Sequence, residues 1–334
     1  MMAIDLTVIW AGIIAFAVGA YVLMDGFDLG IGILFPFFRV GGERDMALNS
    51  IAPVWDGNET WLVLGGGGLL AAFPLAYAII LPALYAPLTA MLLGLVFRGV
   101  AFEFRWRDPA HRAFWDFSFT AGSLVATLAQ GITLGALLQG IRVEGRGYGG
   151  GWWDWLTPFS LLTGVSLVVG YALLGASWLI WKTVGPAQQD ARRLARICAI
   201  GLLVAIFAVS ACTPFLEGKY YARWFAFPGL LVAVPVPVLV GLTGLFLWRS
   251  IDSPRDGRPF LLTLVLFALS MLGLAISIWP DVIPGRVSIW EAAAPERSQI
   301  FMLVGAGVMV PIIIGYTAWA YWVFRGKVDE AGYH

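Results

Sequence analysis

The chain has 334 residues, of which 60% are hydrophobic and only 13% are charged, and its formal net charge is zero. A soluble domain carries about 25% charged residues, so this composition excludes an ordinary soluble protein. The zero net charge gives no sign of a nucleic-acid partner. The sequence therefore predicts an integral membrane protein in contact with lipids, with residues 1–334 forming a single polytopic membrane domain.

Nine apolar runs are long enough to cross a bilayer, which takes about 20 mostly apolar residues. Short segments connect the runs, so we expect no domain outside the membrane. The predicted fold class is an all-α membrane protein with nine transmembrane helices. In chain order, the runs occupy residues 5–37, 52–74, 76–104, 113–140, 156–182, 193–216, 225–248, 258–280 and 298–324.

Lysine and arginine residues lie mostly on one side of the predicted spans. Fourteen of the 21 are in the odd-numbered connections and the C-terminal tail, and six are in the even-numbered connections. Connections rich in lysine and arginine stay in the cytoplasm. The sequence therefore predicts an N-terminus outside the cell and a C-terminus in the cytoplasm.

Two pairs of acidic residues fall within the first two spans. Asp25 and Asp28, in "MDGFDLG", share one helix face because they are three residues apart. Asp56 and Glu59, in "WDGNETW", have the same spacing at the start of the second span. All four are predicted to lie toward the cytoplasmic side, with Asp25 and Asp56 as the deeper members.

Ionisable groups at membrane depth usually mark ion paths or proton relays. The acids therefore predict a proton-transfer function, and we expect nearby polar or aromatic residues to support it. The proton-transfer candidates are Asp25, Asp56, Asp28 and Glu59, and the supporting candidates are Trp55, Asn58, Arg98 and Glu103.

A structural explanation stays open for part of this set. Arg98 could pair with Glu103 in the third span, and Asp116 could cap the fourth span. Gly26 and Gly30 are four residues apart in the first span, a spacing that favours the close approach of another helix.

Residues that ligate haem or metal are scarce in this sequence. Both histidines, His111 and His334, fall outside the predicted spans, although a haem b in the membrane usually needs a histidine ligand. No P-loop and no nucleophile elbow occurs. We therefore expect this chain to bind no haem and no metal, and not to be catalytic on its own.

Four long segments of the chain have distinctive sequences. They are "MDGFDLGIGILFPFF" (24–38), "NSIAPVWDGNETWLVLGGGGLLAAFPLAYA" (49–78), "ALYAPLTAMLLGLVFRGVAFEFR" (83–105) and "VPIIIGYTAWAYWVF" (310–324). These segments resemble subunit II of the cytochrome bd-type quinol oxidases. The form "WDGNETW" and the short external loops are most similar to the cyanide-insensitive branch of that family.

The resemblance implies a function and a set of partners. Complexes of this family oxidise quinol and reduce dioxygen to water in the bacterial inner (cytoplasmic) membrane. Haem b and haem d, or a second b-type haem in place of haem d, lie in the partner subunit I. Subunit II is haem-free and is built as two four-helix bundles plus one extra helix. Single-span small subunits join some complexes, and some members hold a quinone in subunit II.

The resemblance also implies roles for two of the acids. In the family, the acids of the "DGFD" and "WDGN" motifs help line a water-filled path from the cytoplasm to the oxygen-reducing haem. In this chain they are Asp25 and Asp56. One alternative function stays open, a stand-alone proton-coupled membrane transporter, because buried acids and helices interrupted by Gly and Pro would suit it as well.

Overall fold

The computed structural model describes residues 5–328, and this part of the chain is almost entirely helical. Two short antiparallel hairpins interrupt it, β1 (Val143–Glu144) with β2 (Gly147–Tyr148) and β3 (Asp281–Ile283) with β4 (Val287–Ser288). The α-helices are α1 (Leu6–Leu34), α2 (Gly42–Asn49), α3 (Trp55–Ala72), α4 (Pro74–Ala83), α5 (Tyr85–Arg107), α6 (Arg112–Leu138), α7 (Pro158–Lys182), α8 (Gly185–Cys212), α9 (Gly218–Phe225), α10 (Gly229–Ala233), α11 (Pro235–Ser250), α12 (Arg258–Ile278), α13 (Ile289–Ala292) and α14 (Glu296–Val323).

Within residues 5–328, eight helical segments are long and apolar enough to cross a membrane, by length and composition. They correspond to eight of the nine predicted spans, and they confirm the all-α membrane fold. The eight segments are Leu6–Phe37, Tyr85–Arg107, Pro109–Leu138, Pro158–Lys182, Gly185–Phe215, Gly229–Ser250, Arg258–Ile278 and Glu296–Val323.

The remaining predicted span, the second, folds as the helix α3. This helix has 18 residues and carries Asp56, Asn58 and Glu59 in its first two turns. At 1.5 Å per residue it is roughly 27 Å long, close to the thickness of the hydrocarbon layer. The polar residues of its first two turns lower its mean hydropathy. For this reason it is not among the eight segments that length and composition identify as long and apolar enough to cross a membrane.

Proline sets several helix boundaries. The short helix α4 begins at Pro74 and is separated from α5 by Leu84, so the prediction of a continuous third span from residue 76 is wrong. Pro87, in the first turn of α5, has no N–H with which to continue the preceding helix, which explains the break. Pro235 begins α11 directly after α10, as expected for an interruption in the seventh span.

The long helices pack as two groups of four. The helices α1, α3, α5 and α6 form the first group, and α7, α8, α11 and α12 form the second. The contacts of α7 with α6 and with α1 join the groups, and α14 lies against α1 and α3 as an additional helix. The predicted arrangement of two four-helix bundles plus one extra helix is confirmed.

The contact between α1 and α7 depends on glycine. A Cβ atom on Gly30 would collide with the backbone carbonyl of Tyr171, and one on Gly26 would lie 2.8 Å from the Tyr171 ring. Gly175 of α7 faces Gly30 just as closely. The predicted close approach at Gly26 and Gly30 is confirmed, and it brings the part of α1 between the two aspartates to the centre of the molecule.

The two ends of the bundle differ in chemistry. The arginine-rich end holds α2, the C-termini of α1, α5, α7 and α11, and the chain after α14. The hairpin end holds both β-hairpins together with α4 and α9. At the arginine-rich end the chain after α14 returns to the second group, because Val328 N donates to Lys182 O at 2.8 Å and Lys327 Nζ donates to Asp256 Oδ2 at 2.6 Å.

Candidate functional site

Four charged side chains meet between α1, α3 and α5. Arg98 Nη1 donates to Asp25 Oδ1 at 2.9 Å and to Glu59 Oε1 at 2.5 Å. Arg98 Nη2 lies 3.8 Å from Asp28 Oδ2. The side chains of Asp25, Asp28 and Arg98 are 0% exposed, and that of Glu59 is 26% exposed. These four residues form the acid–arginine cluster.

Helix geometry places this cluster at a defined depth. Asp25 follows the start of α1 by nineteen residues, so it lies roughly 28 Å along the helix from Leu6 and about 14 Å before its end at Leu34. The cluster is therefore in the half of the bundle nearer the arginine-rich end. Glu59 reaches it from the second turn of α3, which begins at that same end.

Hydrogen bonds that involve Asn58 hold the Asp28 side chain in place. Asn58 Nδ2 donates to Asp28 Oδ2 at 2.7 Å and to Met24 O at 3.3 Å. The hydroxyl of Tyr321, near the end of α14, donates to Asn58 Oδ1 at 2.9 Å. The sequence predicts the supporting position of Asn58 but gives no signal for Tyr321, because a tyrosine near the end of an apolar span is ordinary in a membrane helix.

Another chain of polar groups approaches Asp25 from the opposite side. The Tyr21 hydroxyl, one helical turn before Asp25 on α1, faces the Asp25 carboxylate. Gln130 Nε2 donates to Tyr21 Oη at 2.6 Å, and the Tyr171 hydroxyl donates to Gln130 Oε1 at 3.0 Å. The spacing of four residues between Tyr21 and Asp25 could have indicated that pair, but the links to α6 and α7 depend on how the helices pack.

Trp55 closes the cluster on the side of the arginine-rich end. Its ring lies 5.9 Å from the Arg98 guanidinium carbon, within the range of a cation–π contact. The same ring stacks on Phe102 at 5.0 Å between centroids. Trp55 and Arg98 thus lie beside the acids, where the sequence predicts supporting residues.

Asp56 is placed differently from the prediction. Its side chain is exposed on the surface of the chain in the first turn of α3, so its prediction as one of the two deeper acids is wrong. A helix turns by about 100° per residue, and Asp56 precedes the buried Asn58 by two residues. It therefore points away from the cluster, and Asp28 is the second fully buried aspartate instead.

Glu103 also lies apart from the cluster. Its side chain is 57% exposed, and its Oε2 is 3.9 Å from Arg107 Nη2 one turn later on α5. The interpretation that Glu103 pairs with Arg98 is wrong, because five residues along a helix place the two side chains on different faces. Arg98 pairs across helices with the acids of α1 and α3.

Nearly the whole chain matches one protein family. The family model described as cytochrome bd terminal oxidase subunit II covers residues 6–324. The chain belongs to this family. It is therefore a subunit of a cytochrome bd oxidase complex, which implies subunit I as its partner, and the alternative of a stand-alone transporter is set aside.

Two curated relatives of this subunit II have similar lengths. Cytochrome bd-I ubiquinol oxidase subunit 2 of Escherichia coli (strain K12) is 29% identical over 359 residues, which cover 96% of this chain and 95% of that protein. Cytochrome bd ubiquinol oxidase subunit 2 of Bacillus subtilis (strain 168) is 28% identical over 332 residues, which cover 96% of each. The similarity thus extends over almost the full length of both relatives.

A solved structure shares the fold of this subunit II. A chain in the structure of bd oxidase from Geobacillus thermodenitrificans matches with a TM-score of 0.78, covering 96% of this chain and 98% of that chain. The sequence identity is 16%, so the likeness speaks for the fold alone. It supports the helical membrane architecture independently of the hydropathy pattern.

Subunit II has a second group of ion pairs, at the arginine-rich end. Arg105 Nε donates to Asp116 Oδ1 at 2.5 Å and Arg105 Nη1 donates to Asp45 Oδ1 at 2.8 Å, while Arg44 Nη1 donates to Asp116 Oδ2 at 2.7 Å. The interpretation of Asp116 as a helix cap is wrong, because α6 begins at Arg112 and the Asp116 carboxylate faces two arginines. These pairs fix α2 against α5 and α6.

Histidine does not reach the interior of the spans in the described part of subunit II. His111 is exposed at the arginine-rich end, with its Nδ1 2.9 Å from Asp108 Oδ2, and His334 lies outside the described residues. Among residues 5–328, no three His, Cys, Asp or Glu side chains are placed to hold a metal ion.

Proposed function

We propose that this subunit works in a quinol oxidase, which couples the oxidation of quinol to the reduction of dioxygen to water. Both relatives named above are subunits of ubiquinol oxidases, and the family membership covers nearly the whole chain. In this proposal haem b and haem d, or a second b-type haem in place of haem d, are held by subunit I. Subunit II supplies scaffold and a path for protons.

The acid–arginine cluster is the observation that supports a proton path. Three carboxyls share one guanidinium, so full ionisation would leave two uncompensated negative charges in a buried site. Charge of that kind is strongly disfavoured away from water, and the group takes up a proton instead. The cluster therefore exchanges protons readily between its members, which is the property that a relay needs.

The exposure of the acids suggests an order along this path. Asp56 is exposed at the start of α3, Glu59 is partly exposed one turn later, and Asp25 and Asp28 are fully buried. We infer that protons enter at Asp56, pass Glu59 and reach the two aspartates. Among the described residues, Asp28 Oδ1 and Arg98 Nε have no protein hydrogen-bond partner, which suits transfer through water molecules.

The direction of the path follows from the orientation that we propose. The arginine-rich end is cytoplasmic by the positive-inside rule, with the N-terminus of the chain outside and its C-terminus inside. Protons then come from the cytoplasm, and their uptake builds a membrane potential when quinol releases its protons outside.

Replacing Asp25 with Asn tests the relay. The Asp25→Asn variant keeps the shape of the side chain and removes its titrating group, so we expect oxidase turnover to fall on the order of 10²-fold. The haem spectrum and the association with subunit I should persist. Glu59→Gln should have a similar effect, and Asp56→Asn a smaller one because its position is solvated.

Glu103→Gln is the matched control for these variants. Glu103 is an acid at the same end of the bundle that lies outside the cluster, so its replacement should leave turnover unchanged. Normal turnover of an assembled Asp25→Asn complex across the pH range would contradict the relay. Loss of haem from the Asp25→Asn complex alone would instead show that this residue is structural.

We also propose that the complex belongs to the cyanide-insensitive branch of the family. The form "WDGNETW" and the short external connections support this assignment. Oxygen consumption by the purified complex should continue in cyanide at concentrations that stop a haem–copper oxidase. Mass spectrometry of the same preparation would identify the single-span small subunits and the bound quinone that we expect from the family.

A further inference from the structure

A groove opens at the arginine-rich end, between the last turn of α11 and the first turn of α12. It has a volume of about 460 Å³. The groove combines two cations with an apolar wall, since its lining residues are Phe246, Arg249, Ser250, Ser253, Arg258, Leu261 and Leu262. Phe246 and Leu261 are exposed at positions where the eight membrane-spanning segments would face lipid.

The acids beside this groove are already neutralised by other cations. Asp252 Oδ1 lies 2.5 Å from Arg196 Nη2. Asp256 takes two partners, with its Oδ1 2.5 Å from Arg192 Nη2 and its Oδ2 2.6 Å from Lys327 Nζ. The connection between α11 and α12 therefore has no spare carboxylate for the arginines that line the groove.

Those two arginines have no counter-ion in the described part of the chain. Within residues 5–328, neither the Arg249 nor the Arg258 side chain has an ion pair or a hydrogen bond. Most other arginines at this end are paired, for example Arg105 and Arg192. Two guanidinium groups that face one concave apolar surface are complementary to an anion that carries a hydrocarbon chain.

We propose that this groove binds one anionic phospholipid from the surrounding leaflet. The phosphate accepts hydrogen bonds from the guanidinium groups of Arg249 and Arg258, whose planar donors match phosphate oxygens. The Ser253 hydroxyl supplies a further donor. The first part of an acyl chain lies along Phe246 and Leu261 and continues into the bilayer.

This site is separate from the proton path, since none of its residues touches the acid–arginine cluster. A lipid bound in this groove would hold α11 against α12 at the arginine-rich end, where a short segment connects the two helices. Basic pockets between membrane helices are a known mode of recognition for anionic lipid headgroups, and the apolar wall explains why a lipid fits better than a free anion.

Native mass spectrometry of the whole oxidase complex tests this site. The complex is released from nanodiscs of phosphatidylcholine that contain a small fraction of phosphatidylglycerol, and the retained lipid is counted. We expect one phosphatidylglycerol to be retained by the natural protein. Its affinity should be roughly 30-fold weaker in the double variant Arg249→Gln/Arg258→Gln, because each arginine near the membrane surface contributes about a fivefold attraction.

Arg255→Gln is the matched control. Arg255 carries the same charge in the same connection but does not line the groove, so its replacement should leave lipid retention unchanged. Equal retention by the double variant and the natural protein would overturn the proposal. Equal loss from Arg255→Gln would overturn it as well, because the attraction would then be a general effect of surface charge. The haem spectrum of each complex verifies that it has assembled.

Discussion

Arg98 lies close to three carboxylates, and its single positive charge can neutralise only one of them. The protonation of each acid in the cluster therefore depends on the protonation of the others. A proton taken up by one acid changes the field felt by the other two. Removing the arginine would leave three acids without a compensating positive charge, whereas removing one acid leaves the remaining charges closer to balance. The residue that the sequence suggested only as a support is therefore the centre of the site.

Tyr321 offers a residue-scale test of how Asp28 is held. Tyr321→Phe removes the hydroxyl that donates to Asn58 Oδ1, so the amide of Asn58 is free to turn and its donation to Asp28 weakens. We expect the free energy of unfolding to fall by about 1 kcal/mol because a hydrogen bond is lost. We also expect the pH dependence of oxidase turnover to shift. The measurement is turnover against pH for the assembled complex.

Tyr316→Phe is the control in the same helix. Tyr316 is 67% exposed, so the loss of its hydroxyl should alter neither stability nor the pH profile. If Tyr321→Phe and Tyr316→Phe have the same pH profile, Tyr321 does not position Asn58.

At the scale of elements, the close contact of α1 with α7 is one of two that hold the helix groups together, the other being that of α6 with α7. Two glycines of α1 and one of α7 form this contact, and the pair of aspartates on α1 lies next to it. The same helix therefore carries both the acids and the packing surface that fixes their rotation. The four glycines of "LGGGG" (64–68) on α3 lie in two environments. Gly65 and Gly68 pack on α1, whereas Gly66 and Gly67 face outward.

Gly30→Ala tests this helix contact. The added Cβ would collide with the Tyr171 carbonyl and with Gly175, so α1 and α7 must move apart. Overpacking of this kind costs about 1–3 kcal/mol, and we expect a lower thermal midpoint and less haem-containing complex. Gly12→Ala, with open space around its Cβ in the same helix, should leave both values unchanged. A normal midpoint for Gly30→Ala would show that the contact is not required.

At the scale of the whole molecule, the chain after α14 ties the additional helix to the second helix group. Lys182 Nζ donates to Gly326 O at 3.0 Å, and Lys327 Nζ bonds to Asp256. Much of α14 is exposed in the isolated chain. The contacts of the segment after α14 with the second helix group are therefore a main attachment of the C-terminal end of α14. Burial alone would raise the pKa of Asp256, but the hydrogen bond from Lys327 and the nearby Arg192 lower it below its ordinary value of 3.8.

The lowered pKa of Asp256 predicts how this attachment responds to acid. A carboxyl with a depressed folded-state pKa stabilises the fold above its ordinary pKa, and the contribution is lost as the pH falls through the lowered value. The protection of the Val328 amide against hydrogen exchange, which comes from its bond to Lys182 O, should therefore be high at neutral pH and fall below about pH 4.

Asp256→Asn should reproduce the loosened state at neutral pH and remove the acid response. Asp252→Asn, in the same connection but paired with Arg196, should leave the protection of the Val328 amide unchanged. An unprotected Val328 amide at neutral pH in the natural protein would contradict the attachment.

The sequence by itself determined the membrane location, the positions of most spans and the shared face of Asp25 and Asp28. These properties are local, because hydropathy and helical periodicity depend on neighbours along one chain segment. The glycine contact of α1 was predictable for the same reason. The interruption between α4 and α5 was not predicted, because the apolar run on both sides of Leu84 hid the break.

Only the tertiary structure decided which residues meet at the site. The sharing of Arg98 by three acids and the outward direction of Asp56 depend on the rotation and offset of one helix against another. The same is true of the bonds of Tyr321 to Asn58 and of Gln130 to Tyr21. An apolar span contacts apolar neighbours at almost any rotation, so its hydropathy does not encode these angles. Close packing at a few glycines and pairing of buried charge select one arrangement, and both act between distant parts of the chain.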